Sequence, residues 1–156
     1  MRRTAPIVIA LALAVPACRP SDANVAEARP AIEQTLSAYA EKLAEAYRTG
    51  DPQPLAEVAT EREILRVGAQ IQELNAAGKE LHVELVLQAV ESLDLYKSNA
   101  ATVQTVETWK LQVRALGSGA ILSESPEQEN RVVYSLIREE GRWRILSRIL
   151  KQTNEP

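Results

Sequence analysis

The chain has 156 residues, of which 46% are hydrophobic, and it carries 18 Lys and Arg side chains against 21 Asp and Glu. This length suits one globular domain with a core of its own. A single cysteine and a single histidine exclude a disulfide framework and every zinc site that needs several Cys or His ligands. The net charge of -3 argues against nucleic acid, because phosphate binding depends on clustered excess cations. We therefore expect no metal, no cofactor and no nucleic-acid partner.

The N-terminal segment has the three-part layout of an export signal. Arg2 and Arg3 give it positive charge, the apolar run IVIALALAV follows at 7–15, and the small residue Ala17 precedes the only cysteine, Cys18. The apolar run is about half as long as a helix that spans a bilayer. We therefore predict a cleaved signal peptide at 1–17 rather than a retained membrane helix.

The position of Cys18 resembles the lipobox of bacterial lipoproteins, in which the cysteine becomes the acylated first residue of the mature chain. The resemblance implies a lipid anchor of the palmitate type and a place in the cell envelope. Arg19 stands where an inner-membrane retention signal would have an aspartate, so we expect the outer membrane, facing the periplasm. The alternative is an ordinary cleavage site that leaves a soluble secreted protein. Polar residues without apolar periodicity predict a flexible tether at 18–29.

Helical patterns occupy the first part of the mature chain. Apolar residues at helical spacing predict a first helix over 30–50, with proline at its start and glycine at its end. An Asp-Pro pair at 51–52 has the character of an N-cap and first turn, which predicts a short second helix. A third helix is predicted over 60–78, where Thr60 and Glu63 have the spacing of a capping box.

Strand patterns occupy the remainder. After residue 78 the apolar period changes from about 3.6 to about 2, which predicts strands over 81–95, 103–113, 131–139 and 142–151. The first of these is long enough to require a bend or a bulge. The segment 117–130 is polar and contains Gly and Pro, so we predict a loop there. Helices followed by strands indicate an α+β domain over 30–152, with three helices on one face of an antiparallel sheet of about four strands.

Two strand motifs carry a family resemblance: Val-Glu-Thr-Trp-Lys at 106–110 and Tyr-x-Leu-x-Arg-x-x-Gly-x-Trp-x-Ile at 134–145. With three helices and a long bent sheet, they resemble the NTF2-like cone fold. Gly-Asp at 50–51 and Leu-Ala-Glu-Val at 55–58 make the chain look most like the intermembrane-space (IMS) domain of plastid and cyanobacterial division proteins. The resemblance implies a concave sheet around a helix-lined pocket and, in those relatives, a non-enzymatic role in binding other proteins.

Glu107 is the residue of the predicted sheet that most invites a chemical role, because it interrupts an apolar strand face that also carries Trp109. A carboxylate buried there would have a raised pKa, as a general base requires. The alternative is that Glu107 reaches the rim or pairs with an arginine. No second titratable group shares the face, so we predict no catalytic residue and a pocket for a small ligand formed by Glu107, Trp109, Tyr134 and Trp143. His82, in phase with polar residues, is expected in solvent.

The last strand carries a second candidate surface. Simple alternation places Arg142, Arg144 and Arg148 on its outer face together with Leu146, and a mixture of basic and apolar residues suits a protein interface or a homodimer. The alternative is a solvated sheet face. We therefore predict a lipid-anchored envelope protein with a non-catalytic binding or assembly domain. The competing hypothesis is a small-molecule pocket with isomerase-like or hydrolase-like activity.

Overall fold

The computed structural model describes residues 22–151, so the predicted signal peptide and Cys18 lie outside the described residues. Four strands form one antiparallel sheet in the order β1-β2-β3-β4. The predicted α+β class is confirmed, but the described chain has two α-helices, not three. The elements in chain order are helix α1 (Asp22–Thr49), a short 3-10 helix (Gln53–Glu57), helix α2 (Glu61–Ala76), and strands β1 (Lys79–Tyr96), β2 (Ala100–Ala115), β3 (Ile121–Glu139) and β4 (Arg142–Lys151).

Helix α1 begins at Asp22, whereas the sequence predicted a flexible tether up to residue 29 and a helix from Pro30. That prediction was wrong for the part of the tether that the structure describes. Alanine and glutamate in this stretch favour helix, and Val25 and Ala28 pack against the core. Pro30 therefore lies inside α1, where it lacks the N–H that would bond to the carbonyl one turn earlier.

The segment between the two helices is a 3-10 helix instead of the predicted α-helix. Its Leu55 is fully buried, and the chain then extends to pair with β4. Ala59 forms a parallel bridge with Ile145, whose N–H donates to the Val58 carbonyl at 2.8 Å, while the Thr60 N–H donates to the Ile145 carbonyl at 2.9 Å. The extension shortens the helical segment and covers part of the free edge of β4.

Strand β3 is longer than predicted, because it begins at Ile121 and includes most of the segment expected to be a loop. Its first half pairs with β2, from Arg114 opposite Ile121 to Glu107 opposite Asn130. Most side chains in this half are exposed, so no apolar alternation marks it in the sequence. The backbone pairing with β2 is what makes it a strand.

Extra residues interrupt the regular pairing of the sheet. Val86 and Glu91 in β1 and Leu146 in β4 fall at register shifts, where they have no partner on the neighbouring strand. Each such β-bulge reverses the alternation of side chains that follows it. The bulge at Leu146 puts Arg148 opposite the buried Tyr134, on the inner face that packs against the helices. The bulge predicted from the length of β1 is confirmed.

The core lies between α1, α2 and the inner face of the sheet. Tyr39 from α1 and Tyr134 from β3 are both fully buried, and their rings meet edge to face with centroids 5.9 Å apart. Between Asp22 and Lys151, neither helix is apolar enough over a sufficient length to cross a membrane. Aliphatic side chains complete the core, among them Ile32, Leu36, Leu43, Val67, Ile71, Val103, Val132, Leu136 and Ile145.

Replacing Leu36 with alanine tests the central position of α1 in this core. Leu36 is 0% exposed, and a large-to-small change at a buried leucine typically costs about 3 kcal/mol through lost burial and the cavity left behind. We expect that loss in the free energy of unfolding measured by urea titration. Leu65→Ala is the matched control, because Leu65 is 66% exposed and its change should stay within about 0.5 kcal/mol. Equal losses in the two variants would contradict this description of the core.

Candidate functional site

The carboxylate of Glu107 lies in the centre of the inner face with no exposed surface. Strand alternation on β2 puts Thr105, Glu107 and Trp109 on this face. A buried carboxylate needs hydrogen-bond donors to compensate for lost water, and Glu107 has donors on all four strands of the sheet. Oε1 accepts from Tyr134 Oη (2.6 Å), Gln88 Nε2 (2.9 Å) and Thr105 Oγ1 (3.0 Å), and Oε2 accepts from Trp109 Nε1 (2.8 Å) and Arg148 Nη2 (2.9 Å).

Arg148 is the charged partner of Glu107. Its Nη2 donates to the carboxylate, its Nε donates to the Tyr134 hydroxyl at 3.2 Å, and its guanidinium lies over the Trp109 ring, 5.6 Å from the centroid. Only 14% of the Arg148 side chain is exposed. The prediction that Arg148 belongs to the outer face was wrong, because the bulge at Leu146 turns it inward. The sequence left open that Glu107 pairs with an arginine, and this is what the structure has.

The ion pair determines the protonation of the site. Burial opposes ionisation of Glu107, but the Arg148 charge and the hydrogen bonds from Tyr134, Gln88 and Trp109 outweigh it and lower the pKa of the carboxyl. Burial, which outweighs the nearby Arg148 charge, raises the pKa of the Tyr134 hydroxyl, and the Glu107 charge adds to the rise. The raised pKa expected of a general base is therefore absent from Glu107. The carboxylate is an ionised acceptor at neutral pH.

A second buried carboxylate lies on α2, and sequence reasoning missed its role. Glu63 is 1% exposed, and it accepts a hydrogen bond from the Tyr39 hydroxyl and two from Arg66, whose Nε is 2.8 Å away. It does not form the predicted capping box with Thr60, since no side-chain cap bond is present at this helix start. A signal was available: Glu63 is in phase, at four-residue intervals, with the buried apolar positions of α2.

A cavity of about 480 Å³ opens between the two helices and the sheet. Arg66 and Arg148 both line it, whereas Glu63 and Glu107 do not. Arg66 Nη1 donates to Gln70 at 3.2 Å, and the Tyr47 hydroxyl donates to the same amide oxygen at 2.8 Å. The remaining lining residues are mostly apolar: Leu43, Leu81, Val83, Trp109, Leu111, Gln128, Asn130, Ile149 and Leu150.

The structure brings part of the predicted pocket together. Trp109 lines the cavity, and Glu107 and Tyr134 form the hydrogen-bonded cluster beside it. Trp143 is buried in the core but lines a separate, smaller recess near the start of α1. His82 is half-buried rather than fully in solvent, lies 3.3 Å from Glu80, and does not line the cavity.

The four residues of the predicted interface on β4 do not share one surface. Arg142 is exposed, and Arg144 donates to the Ala56 carbonyl at 2.8 Å and lies 3.6 Å from Glu139. Leu146 is the half-buried bulge residue, and Arg148 faces inward. Association through the outer face stays a prediction, carried by fewer residues than the sequence indicated.

Metal binding has no obvious donor set in the part of the chain that the structure describes. Over residues 22–151, no three His, Cys, Asp or Glu side chains are grouped closely enough to hold an ion. The two buried carboxylates are each occupied by an arginine and a tyrosine.

Comparison with known proteins identifies the fold. The family model for the ARC6-like IMS domain matches residues 28–146. The crystal structure of the intermembrane space region of the chloroplast protein ARC6 is similar, with a TM-score of 0.67 at 16% identity, covering 79% of this chain and 95% of that chain. The comparison with curated protein sequences found no match.

Two further solved structures share the architecture. An NTF2-like superfamily protein from Salmonella enterica serovar Typhimurium has a TM-score of 0.55 at 10% identity, covering 81% of this chain and 92% of its own. A protein proposed to be a scytalone dehydratase from Novosphingobium aromaticivorans has a TM-score of 0.54 at 17% identity, covering 84% and 87%. At these identities the likeness extends to the fold alone. The predicted resemblance to NTF2-like and IMS domains is confirmed.

Replacing Glu107 with glutamine tests whether the carboxylate stabilises the site. Glutamine keeps the shape of the side chain, but it removes the negative charge that compensates Arg148. Its amide N–H₂ is also a donor, so it cannot accept the hydrogen bonds that the carboxylate oxygen accepts. Breaking a buried ion pair from one side typically costs about 3 kcal/mol or more. We expect that loss in urea unfolding at neutral pH. Glu127→Gln is the control, because Glu127 is 52% exposed and 3.5 Å from Lys110, and such surface pairs contribute less than about 1 kcal/mol.

The stability of the wild type and that of Glu107→Gln should depend differently on pH. Because the folded state lowers the pKa of Glu107 below the ordinary value of 4.5, the ionised carboxylate stabilises the fold above that pH, and this contribution is lost as the pH falls through the lower value. The wild type should therefore lose more stability on acidification than Glu107→Gln. Parallel stability curves for the two proteins would contradict the assignment.

Proposed function

The chain belongs to the ARC6-like IMS domain family, and from this membership we propose that it is a non-catalytic binding domain of the cell envelope. Its binding site is the cavity lined by Arg66 and Arg148, and its anchor is a lipid on Cys18. The solved relative is the intermembrane space region of the chloroplast protein ARC6. That relative supports an envelope location for this chain.

The saturation of Glu107 is the observation that carries the non-catalytic assignment. A general base must present a free lone pair to its substrate within hydrogen-bond reach. Both oxygens of Glu107 already accept bonds from five protein groups, and the carboxylate does not line the cavity. A ligand in the cavity meets the arginine held by Glu107 and not the acid itself. The enzymatic alternative therefore lacks its principal residue.

The shape and lining of the cavity support binding. Ligand sites in proteins are concave and mostly apolar, with a few polar groups that orient the ligand. The cavity of about 480 Å³ has this character: aliphatic residues and Trp109 form most of its wall, and arginine, amide and tyrosine hydroxyl groups are its polar part. Arg66 and Arg148 are each held by a buried carboxylate, so the polar groups are in place before a ligand arrives.

Anchoring at Cys18 is consistent with the early start of α1. The helix begins at Asp22, which leaves only residues 19–21 between the proposed lipid and the domain. The domain would then stand close to the membrane surface. Three acyl chains of the lipoprotein type would hold it there firmly, since each buried methylene contributes about 0.8 kcal/mol.

Binding of the neutral dye Nile red tests the cavity. We expect the full chain carrying Cys18→Ser, which has no covalent lipid for the dye to enter, to increase and blue-shift the dye fluorescence, because the dye enters an apolar site. Leu111→Trp fills the cavity from one wall and should weaken this binding by about tenfold, or roughly 1.4 kcal/mol. Leu116→Trp is the matched control, since Leu116 is 47% exposed and does not line the cavity. Equal dye binding by both variants would refute the cavity as the binding site.

Replacing Cys18 with serine tests the anchor in a bacterial host. We expect wild-type protein in the membrane fraction, with an acylated N-terminal peptide detected by mass spectrometry. Cys18→Ser should remove the acyl mass, because the thiol that carries the lipid is gone. Ser21→Ala is a neighbouring control that should change neither result. An unmodified wild-type peptide would exclude lipidation.

A further inference from the structure

The cavity has walls of one charge sign. Its lining includes the guanidinium groups of Arg66 and Arg148 and no carboxylate. This is unexpected in a chain whose acidic side chains outnumber its basic ones, 21 to 18. The cavity wall is therefore positively charged although the protein as a whole is acidic.

The two ion pairs are oriented with their positive ends toward the cavity. Glu107 and Glu63 are 0% and 1% exposed and lie on the core side, whereas 14% of the Arg148 side chain and 38% of the Arg66 side chain are accessible. Each pair is neutral as a whole, but its cation is nearer to the space a ligand would occupy. Low-dielectric walls around such a site strengthen the positive potential inside it.

Arg148 also keeps hydrogen-bonding capacity. Its Nε and Nη2 donate to Tyr134 and Glu107, and within residues 22–151 its Nη1 has no bonded acceptor. A guanidinium has five N–H donors in a fixed planar arrangement, and its bonds to a carboxylate are charge-assisted. The Trp109 ring and the Glu107 carboxylate hold this group in one orientation, so a ligand anion need not order it.

The rest of the wall is mostly apolar and suits a ligand with an apolar body. Leu43, Leu81, Val83, Leu111 and Leu150 surround the arginines, and apolar surface of this extent is matched by an apolar ligand body. We infer that the cavity binds a small organic anion, a carboxylate with an aliphatic chain, whose head group meets Arg148 and Arg66. This inference rests on the proposed function, since it names the ligand class of the same cavity.

Calorimetric titration with three probes tests the inference: octanoate, octanol and acetate. The full chain carrying Cys18→Ser has no covalent lipid to compete with the probes. Octanol has the apolar body without the charge, and acetate has the head group without the body. We expect octanoate to bind about tenfold more tightly than octanol, with acetate weakest. Octanol binding as tightly as octanoate would overturn the inference.

A matched pair of charge variants tests whether the charge of the cavity wall determines octanoate binding. Gln128→Glu adds a carboxylate to the cavity wall, whereas Gln104→Glu makes the same change on the outer face, where Gln104 accepts from Lys151. Gln128→Glu should weaken octanoate by about tenfold and leave octanol unchanged, because repulsion acts only on the charged probe. Equal effects of the two variants on octanoate would also overturn the inference.

The outcomes separate this inference from the proposed function. If Nile red and octanol bind and octanoate binds no more tightly than octanol, the inferred anion is wrong and the cavity is still a binding site. If none of the probes binds to the Cys18→Ser chain or to the same chain with Gln104→Glu, both the anion and the cavity are wrong.

Discussion

The buried ion pair of Glu107 and Arg148 is the interaction on which the inner face of the sheet depends. An isolated carboxylate in this position would be prohibitively costly, and its neutral form would leave the donors around it poorly matched. With Arg148 in place, the carboxylate accepts bonds from residues on all four strands, so it fixes the strands relative to one another. The same pair holds a guanidinium at the cavity wall. The stability of the inner face and the positive charge at the cavity wall therefore derive from one contact.

That contact exists because of a single extra residue. Without the bulge at Leu146, regular alternation would carry Arg148 to the outer face. The bulge lies next to Ile145, which is bonded on its other side to the segment around Ala59. The connection between the helices and the irregularity in β4 thus occur at the same point of the sheet. A local change in pairing moves a charge from solvent into the core.

Much of this architecture could be predicted from the sequence, and the failures have identifiable causes. Apolar spacing predicted α1 and α2, and alternation on β2 placed Glu107 and Trp109 on one buried face. Arg148 was misplaced because a bulge is decided by pairing between strands, which alternation along one strand does not contain. The first half of β3 was missed because its side chains are exposed and only its backbone is paired. Glu63 was assigned to a cap because local spacing hides its contact with Tyr39, which lies on another helix.

The two edge strands of the sheet, β1 and β4, are poor templates for the addition of another chain. An exposed edge strand can act as a template to which another chain adds by backbone pairing. Here β4 is covered at Ile145 by the segment around Ala59, and β1 is broken by bulges at Val86 and Glu91. Both edges thus offer an irregular row of donors and acceptors to an incoming strand. Copies of the domain at high concentration are therefore less prone to join their sheets into a continuous aggregate.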